Sequence, residues 1–265
     1  MKGYYLNNRI FYKKNRFCKC RKTLIFVHGL SGSSSAWIPY EKKFEKSYNV
    51  LSFDLRGHGK SYKPKKYGDY SIKKFAEDLE NVVRHERIKK FVLICHSFAV
   101  FIGLEFLRKN QRFVSSAVFL SPASKPPINL ISKILKKILK SKKLLNILPL
   151  KKDYGYHVDY SKHPDTGDWN VPRMIDDIGN TGLKIYLWGT KHSYDFDAEK
   201  LLKNIKIPVL LMHGKKDTIF PYKNSVYLRN KIKNSKLVLL DDIDHIIVLN
   251  RFDDVSKEIA KFLKT

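Results

Sequence analysis

The chain alternates short continuous apolar runs with longer stretches in which apolar residues recur every three or four positions. Six runs are rich in Val, Ile, Leu and Phe, and each ends in turn residues: TLIFVHG (23–29), YNVLSFDLRG (48–57), FVLICHS (91–97), SSAVFLSP (115–122), IPVLLMHG (207–214) and KLVLLDD (236–242). Continuous apolar runs are typical of parallel strands that are covered on both faces. The pattern therefore predicts a mostly parallel sheet.

Helical patterns lie between these runs. SIKKFAEDLENVVRH (71–85) carries an apolar stripe and begins with Ser71 as a plausible cap. FAVFIGLEFLRK (98–109) follows the third run directly, and DDVSKEIAKFLK (253–264) comes last. Upstream, Asn7-Asn8 indicates the turn of a hairpin. Strand–helix alternation of this kind predicts an α/β fold with a doubly wound sheet.

The alternation breaks between about Ala123 and Gly189. Here a helical segment follows Pro126-Pro127 and separates an apolar face from a basic one: Ile131, Ile134, Leu135, Ile138 and Leu139 against Lys133, Lys136, Lys137 and Lys140. An insertion between two core strands is interpreted as a cap over the carboxyl edge of the sheet. A stabilising surface insertion and a basic helix lying on a membrane are the alternatives. We divide the chain into a first core part (1–122), a cap (123–189) and a second core part (190–265).

Composition and charge narrow the partners and the compartment. Hydrophobic residues make up 43% of the chain, and its formal net charge is +27. Because the lysines are spread along the whole chain, we interpret the charge as a general surface property and do not expect a nucleic-acid partner. The basic cap helix predicts at most a weak contact with anionic membranes. The first residues lack the apolar core of a signal peptide, no run approaches the ~18 residues of a membrane span, and the three cysteines have no framework spacing, so we expect a cytoplasmic protein.

Five motifs carry a resemblance to a known family: HGLSGSSSAW (28–37), FDLRGHGKS (53–61), CHSFA (95–99), HGKKDTIFP (213–221) and DDIDHII (241–247). Their order and spacing resemble those of the α/β-hydrolase superfamily, and the resemblance covers nearly the whole chain. It implies the α/β-hydrolase fold, with helices on both faces of the sheet and a helical cap insertion. It also implies a Ser–Asp–His hydrolase without a cofactor, and no spacing of metal ligands is present.

Three residues match the catalytic positions of the family in its chain order of Ser, Asp and His. The resemblance makes Ser97 the nucleophile, His245 its general base and Asp217 the acid that orients the imidazole. His245 follows the last predicted strand, so it can reach the edge of the sheet where Ser97 stands. Three further aspartates compete with Asp217 for the orienting role, and these are Asp241, Asp242 and Asp244.

The resemblance also implies the groups that surround the triad. Backbone N–H groups of Leu30 and Phe98 are expected to form the oxyanion hole, and His28, Gly29 and Asp54 are expected to support the loop.

The chain departs from the family pattern at the turn that presents the nucleophile. Cys95 and Ala99 stand where G-x-S-x-G has glycines, and we expect a turn with slight rearrangement.

These residues predict a hydrolase that cleaves small-molecule carboxylic esters, with lipid-like esters among them. Acyl transfer, thioester or amide hydrolysis and C–C bond hydrolysis use the same three residues and are the alternatives within the fold. A non-catalytic binding protein of the same fold is the alternative of another class.

Overall fold

The computed structural model describes residues 1–7, 9–127, 147–151 and 155–264. Across these residues, eight strands form one sheet in the order β1-β2-β4-β3-β5-β6-β7-β8. Their bounds are Lys2–Leu6 (β1), Ile10–Lys14 (β2), Thr23–Val27 (β3), Asn49–Phe53 (β4), Phe91–His96 (β5), Val114–Leu120 (β6), Val209–Gly214 (β7) and Ser235–Leu240 (β8). The hairpin β1–β2 is antiparallel, while β3 to β8 run parallel, which confirms the predicted α/β architecture.

Helices cover both faces of this sheet. Their bounds are Ile38–Phe44 (α1), Ile72–His85 (α2), Phe98–Asn110 (α3), Val171–Thr181 (α4), Leu183–Tyr194 (α5), Glu199–Leu202 (α6), Lys223–Lys231 (α7), Ile247–Asn250 (α8) and Phe252–Phe262 (α9). The Ser71 hydroxyl accepts the Lys74 N–H at the start of α2, so this serine caps the helix.

Alternating strand residues feed two core layers. On β5, Leu93 and Cys95 pack with the apolar stripe of α2 and with α3. Val92 and Ile94 point to the opposite face, where they join the layer formed with α1 and α9. Both faces of a central strand are therefore buried, which explains why its sequence is continuously apolar.

The order of the strands determines where a ligand can bind. Strand β3 pairs with β4 on one side and β5 on the other, and Val27 lies opposite Cys95. The chain leaves β3 and β5 toward opposite sides of the sheet, which opens a crevice at their carboxyl ends. The segments that begin at His28 and His96 meet there.

A buried lysine attaches the inserted segment that is predicted as a cap (123–189) to the rest of the fold. The Lys63 ammonium donates hydrogen bonds to the carbonyl oxygens of Gly57 (2.9 Å), Asn180 (2.8 Å) and Thr181 (3.0 Å). The last two carbonyls belong to the C-terminal turn of α4, where a cation also complements the helix dipole. Burial lowers the pKa of Lys63 to about 8.

The apolar and basic faces predicted for the cap helix fall within residues 128–146, which lie outside the described residues. A weak contact with anionic membranes through this helix therefore stays a prediction. No helix within the described ranges has the length and hydropathy that crossing a bilayer requires.

Candidate active site

Ser97 stands on a strained turn between β5 and α3. Its backbone has φ 55° and ψ −120°, a conformation that residues other than glycine rarely adopt. The Ser97 N–H donates to the Leu120 carbonyl (2.9 Å), and the Ser97 carbonyl accepts from the Val100 N–H (2.8 Å). A sharp strand-to-helix turn of this kind holds the hydroxyl above the carboxyl edge of the sheet.

The turn forms although Cys95 and Ala99 replace glycines, and both side chains are fully buried. A glycine elsewhere makes room for the larger thiol. A Cβ placed on Gly103 of α3 would lie only 3.1 Å from the Cys95 sulfur, so the helix approaches the strand closely at this point. Burial also raises the pKa of the Cys95 thiol well above its ordinary value, which leaves it protonated and unreactive.

His245 bridges Ser97 and Asp217. Its Nε2 lies 2.6 Å from the Ser97 Oγ, and its Nδ1 lies 2.7 Å from the Asp217 Oδ2. Because Nδ1 donates a hydrogen bond to the carboxylate, Nδ1 carries the proton. Nε2 is then the unprotonated nitrogen and accepts a hydrogen bond from the serine hydroxyl. Ser97, which follows β5, Asp217, which follows β7, and His245, which follows β8, are thus joined by one chain of hydrogen bonds.

The Asp217 carboxylate is held by four donors. Oδ2 accepts the His245 Nδ1–H and the His213 Nε2–H (2.8 Å), and Oδ1 accepts the N–H groups of Ile219 (2.9 Å) and Phe220 (2.7 Å). Burial by itself would raise the pKa of Asp217, but the charge of His245 and the hydrogen bonds from the two histidines hold it well below its usual range. The carboxylate is therefore ionised and fixed in orientation.

The competing aspartates are directed elsewhere. Asp241 pairs with Lys215 (2.7 Å) and Asp242 with Lys216 (2.8 Å), and all four of these side chains are exposed. The Asp244 carboxylate accepts the N–H groups of Asp168 (2.8 Å) and Ile246 (3.0 Å). Of the four candidates, Asp217 is the one whose carboxylate contacts the His245 ring.

The backbone of His245 is held from both sides. Its N–H donates to the Asp168 Oδ1 (2.7 Å), and its carbonyl accepts the His96 Nε2–H (3.0 Å) and the Ser121 hydroxyl (3.0 Å). Burial lowers the pKa of His96 to about 3, so this ring is neutral at neutral pH and acts here as a hydrogen-bond donor. Side chains from three separate segments therefore determine where the imidazole stands.

The loop after β3 passes against Ser97. A Cβ on Gly29 would lie 3.5 Å from the Ser97 Cβ and 3.3 Å from the His96 Nδ1, so a glycine permits this close approach. Leu30 follows at once, and the role of its N–H in an oxyanion hole stays a prediction. Phe98 is the first residue of α3, and its N–H has no intrahelical acceptor.

His28 ties this loop to the neighbouring one. Its Nε2 accepts the Leu55 N–H (3.0 Å), so Nδ1 carries the proton and donates to the Gly29 carbonyl (2.8 Å). Burial lowers the pKa of His28, which keeps the ring in this neutral form.

Asp54 organises the far end of the same loop. Its carboxylate accepts the N–H groups of Ser34 (2.8 Å) and Lys60 (2.8 Å), and it lies 2.8 Å from the His157 Nε2 of the cap. Burial by itself would raise the pKa of Asp54, but the hydrogen bond and the charge of His157 lower it to about 2. Asp54 thus connects two core loops and the cap.

A family profile described as the alpha/beta hydrolase fold matches residues 22–252. The chain belongs to this family. A proline iminopeptidase of Saccharolobus solfataricus is 24% identical over 99% of this chain and 94% of its own length. The putative carbamate hydrolase RutD of Pseudomonas syringae is 29% identical over 92% of this chain and 94% of its own. The crystal structure of an enol-lactonase from Burkholderia xenovorans superimposes with a TM-score of 0.77 at 19% identity, over 97% of this chain and 96% of the other.

In this alpha/beta hydrolase a cavity of about 330 Å³ opens beside Ser97, a volume at the lower end of the range for ligand pockets. Apolar side chains from the core and the cap form much of its wall, among them Phe98, Phe101, Met174, Ile178, Ile219, Phe220 and Leu249. The wall also includes Tyr160, Arg173 and Asp177, which bond to one another. The Asp177 carboxylate accepts the Tyr160 hydroxyl (2.8 Å) and the Arg173 guanidinium (2.8 Å), so the ion pair is internally neutralised.

Four side chains that hold Asp217 or His245 were not among the site residues predicted from the sequence, and these are His213, Asp168, His96 and Ser121. His213 had a usable signal, because it is a histidine at the end of a buried strand, four residues before Asp217. Asp168 had none, because it lies in an irregular stretch with several other aspartates. Its partners Thr218 and His245 are 50 and 77 residues away in the chain.

Proposed function

We propose that this chain is a serine hydrolase that cleaves carboxylic esters through an acyl-enzyme. One observation carries the proposal: the His245 ring spans 2.6 Å to the Ser97 hydroxyl and 2.7 Å to the Asp217 carboxylate. A serine hydroxyl becomes an effective nucleophile when a base lies within hydrogen-bond reach and a third group orients that base. The arrangement meets both conditions.

In the first half of the reaction, the Ser97 Oγ bonds to the carbonyl carbon while its proton passes to the His245 Nε2. The carbonyl oxygen takes up negative charge, and the N–H groups of Leu30 and Phe98 are proposed to donate to it. One such donor contributes about 10²–10³-fold in rate. Asp217 remains ionised and stabilises the imidazolium that forms, because the pKa of its carboxyl lies well below the usual range.

In the second half, the tetrahedral intermediate collapses and the His245 Nε2 returns its proton to the departing alkoxide oxygen. The alcohol leaves, and the acyl group stays bonded to the Ser97 Oγ. His245 then accepts a proton from a water molecule that attacks the same carbon. A second collapse releases the carboxylic acid and restores the serine hydroxyl.

The cavity wall favours a neutral ester with a small to medium apolar group. Among the lining residues that the structure describes, the carboxylates are Asp168 and Asp177, and both are engaged with protein donors. A substrate with a free ammonium group, as an aminopeptidase would take, finds no unengaged carboxylate there to pair with. An uncharged acyl group matches the apolar surface instead.

Labelling with a fluorophosphonate probe tests the nucleophile. We expect the wild-type protein and the exposed-serine control Ser47→Ala to be labelled equally, and Ser97→Ala to lose the label. Mass spectrometry of the labelled peptide should find the adduct on Ser97. Absence of labelling in the folded wild-type protein would overturn the proposal in favour of a non-catalytic binding protein of the same fold.

A series of p-nitrophenyl esters from acetate to palmitate tests the bond and the acyl group. We expect turnover to be highest for short to medium chains and to fall for chains that exceed the cavity volume. Labelling of Ser97 together with negligible turnover across the whole series would contradict ester hydrolysis. It would favour acyl transfer, thioester or amide hydrolysis, or C–C bond hydrolysis by the same residues.

A further inference from the structure

One cap side chain binds the two loops that carry the acid and the base. The Asp168 Oδ1 accepts the His245 N–H at 2.7 Å, and the Oδ2 accepts the N–H (2.9 Å) and the hydroxyl (2.7 Å) of Thr218. Thr218 follows Asp217 directly. The carboxylate is buried, with the residue only 6% exposed, so these bonds do not compete with bulk water.

The segment that presents Asp168 is itself held in place. The Arg173 guanidinium donates to the Thr166 hydroxyl (2.9 Å) and is bonded to the buried carboxylate of Asp177 (2.8 Å). The Asn250 side chain donates to the Thr166 carbonyl (2.7 Å) at the other end. Trp169 Nε1 donates to the Thr218 hydroxyl (3.0 Å), which leaves the proton of that hydroxyl for Asp168.

The geometry of these contacts defines what the carboxylate controls. The two oxygens of one rigid group accept from the backbone of His245 and from the residue next to Asp217. They therefore help to set the separation of the His245 Nδ1 and the Asp217 Oδ2. The core also constrains His245, through the bonds of His96 and Ser121 to its carbonyl. It joins the two loops further back, where the Lys216 N–H donates to the Ile243 carbonyl (2.9 Å). Without Asp168, the His245 N–H would lose its acceptor, and the two loops would lose the carboxylate that they share next to the catalytic side chains.

We propose that Asp168 is a positioning residue, by which the cap holds His245 and Asp217 in the register needed for proton transfer from Ser97. This proposal rests on the proposed serine-hydrolase function. Asp168 accepts from the His245 backbone and takes no part in bond making. Its removal displaces a catalytic group by a fraction of an ångström to an ångström, a change that can lower a rate by about 10²-fold.

Asp168→Ala, Asp168→Asn and the control Asp176→Ala test the proposal. Asp176 is a carboxylate of the same cap that pairs with His163 (2.8 Å) and is half-exposed. Rates are expressed per active site titrated with fluorophosphonate, so that misfolded protein does not count. For Asp168→Ala we expect kcat to fall about 10²-fold with KM within about twofold of the wild-type value.

The kcat of Asp168→Asn should lie between those of the wild type and of Asp168→Ala. The amide has one oxygen in place of two, so it can accept from His245 or from Thr218 but not from both. Asp176→Ala should match the wild type. The downfield proton resonance of the His245–Asp217 hydrogen bond supplies a readout that does not depend on turnover. We expect it to shift or broaden in both Asp168 variants while their amide spectra stay folded. If Asp168→Ala does not fold, Asp168→Asn decides by the same two measurements.

The inference is wrong if the folded Asp168 variants keep the wild-type kcat per titrated site and an unchanged resonance, even when their melting temperature drops. A raised KM with unchanged kcat would equally contradict it and assign Asp168 to substrate binding. Failure of the wild-type protein to react with fluorophosphonate would instead overturn the proposed function itself. The two failures are therefore distinguishable.

Discussion

The proposed nucleophile, Ser97, and its proposed acid–base partners, His245 and Asp217, are held in different ways. Ser97 is fixed mainly by the backbone of the segment around it, strand β5, a strained turn and helix α3, and its N–H bonds to the neighbouring strand β6. His245 and Asp217 lie on loops, and side chains from other segments fix them: His213, His96, Ser121 and Asp168. The first arrangement is local in sequence, and the second depends on contacts between distant residues.

This difference determines what a substitution can disturb. The turn at Ser97 accommodates the Cys95 sulfur because Gly103 has no Cβ at this close approach. The acid–base pair has less freedom, because the bonds from His213 to Asp217 and from Asp168, His96 and Ser121 to His245 each rely on a side chain that one substitution removes. We therefore expect substitutions around His245 and Asp217 to change mainly the catalytic rate. Substitutions around the turn at Ser97 should change mainly packing and stability.

The largest effect is expected at Asp217. Asp217→Asn should lower kcat by about 10⁴-fold, because a neutral amide stabilises the imidazolium poorly and favours the wrong tautomer of His245. Steady-state kinetics with a p-nitrophenyl ester measures the effect, and Asp241→Asn is the matched control on the surface. A loss of tenfold or less would indicate that another carboxylate orients His245.

An intermediate effect is expected at Asp54, where protonation of the buried carboxylate should lower the stability of the folded protein in acid. The pKa of Asp54 is about 2 in the folded protein and therefore lies below that of an unfolded chain, ~3.9. The folded state holds this carboxylate ionised where the unfolded chain binds a proton. The stabilisation is thus complete well above pH 4 and is lost as the pH falls toward 2.

This contribution amounts to about 2.6 kcal/mol, roughly half of which is lost by pH 3. Urea unfolding of the wild type and Asp54→Asn at a series of pH values measures it. The gap in unfolding free energy between them should narrow by about 1 kcal/mol between pH 6 and pH 3. A gap that is constant with pH would show that the His157–Asp54 contact does not favour the ionised carboxylate.

The smallest effect is expected where Gly103 of helix α3 packs against Cys95, next to the turn at Ser97. Gly103→Ala places a Cβ 3.1 Å from the Cys95 sulfur, and we expect it to destabilise the protein by about 1 kcal/mol. In the Cys95→Ala background the same change should destabilise less. The contact with the sulfur is then gone, alanine is the better helix former by about 1 kcal/mol, and the 3.3 Å contacts with Leu93 and Phe119 remain. A double-mutant cycle of urea unfolding measures this coupling. Additive free energies would contradict the compensation between Cys95 and Gly103.

The sequence was most informative where structure is local. Continuous apolar runs indicated β3 to β8 because central parallel strands are buried on both faces, and Asn7-Asn8 indicated the hairpin. The motif CHSFA placed Ser97 because strand, turn and helix follow one another directly. The choice of Asp217 among four aspartates came from the family resemblance, since local pattern does not determine which loop reaches His245.

What escaped prediction depends on contacts between distant segments. Asp168 follows no periodicity. Its hydrogen bonds form only when Thr218 and His245, 50 and 77 positions later, fold against it. Gly103 is similar, because a glycine inside a helix predicts weaker helix propensity but does not name the sulfur that it accommodates. The role of a residue such as these is a property of the tertiary structure.

The backbone angles of Ser97 have a consequence for engineering. A serine at φ 55° carries conformational strain of about 1–3 kcal/mol that a glycine avoids. A library of variants sorted by heat resistance alone would therefore retain Ser97→Gly among its most robust members, although that molecule lacks the proposed nucleophile. Under the proposed function, every round of selection must include a measurement of turnover, because the most robust backbone and the active one differ at Ser97.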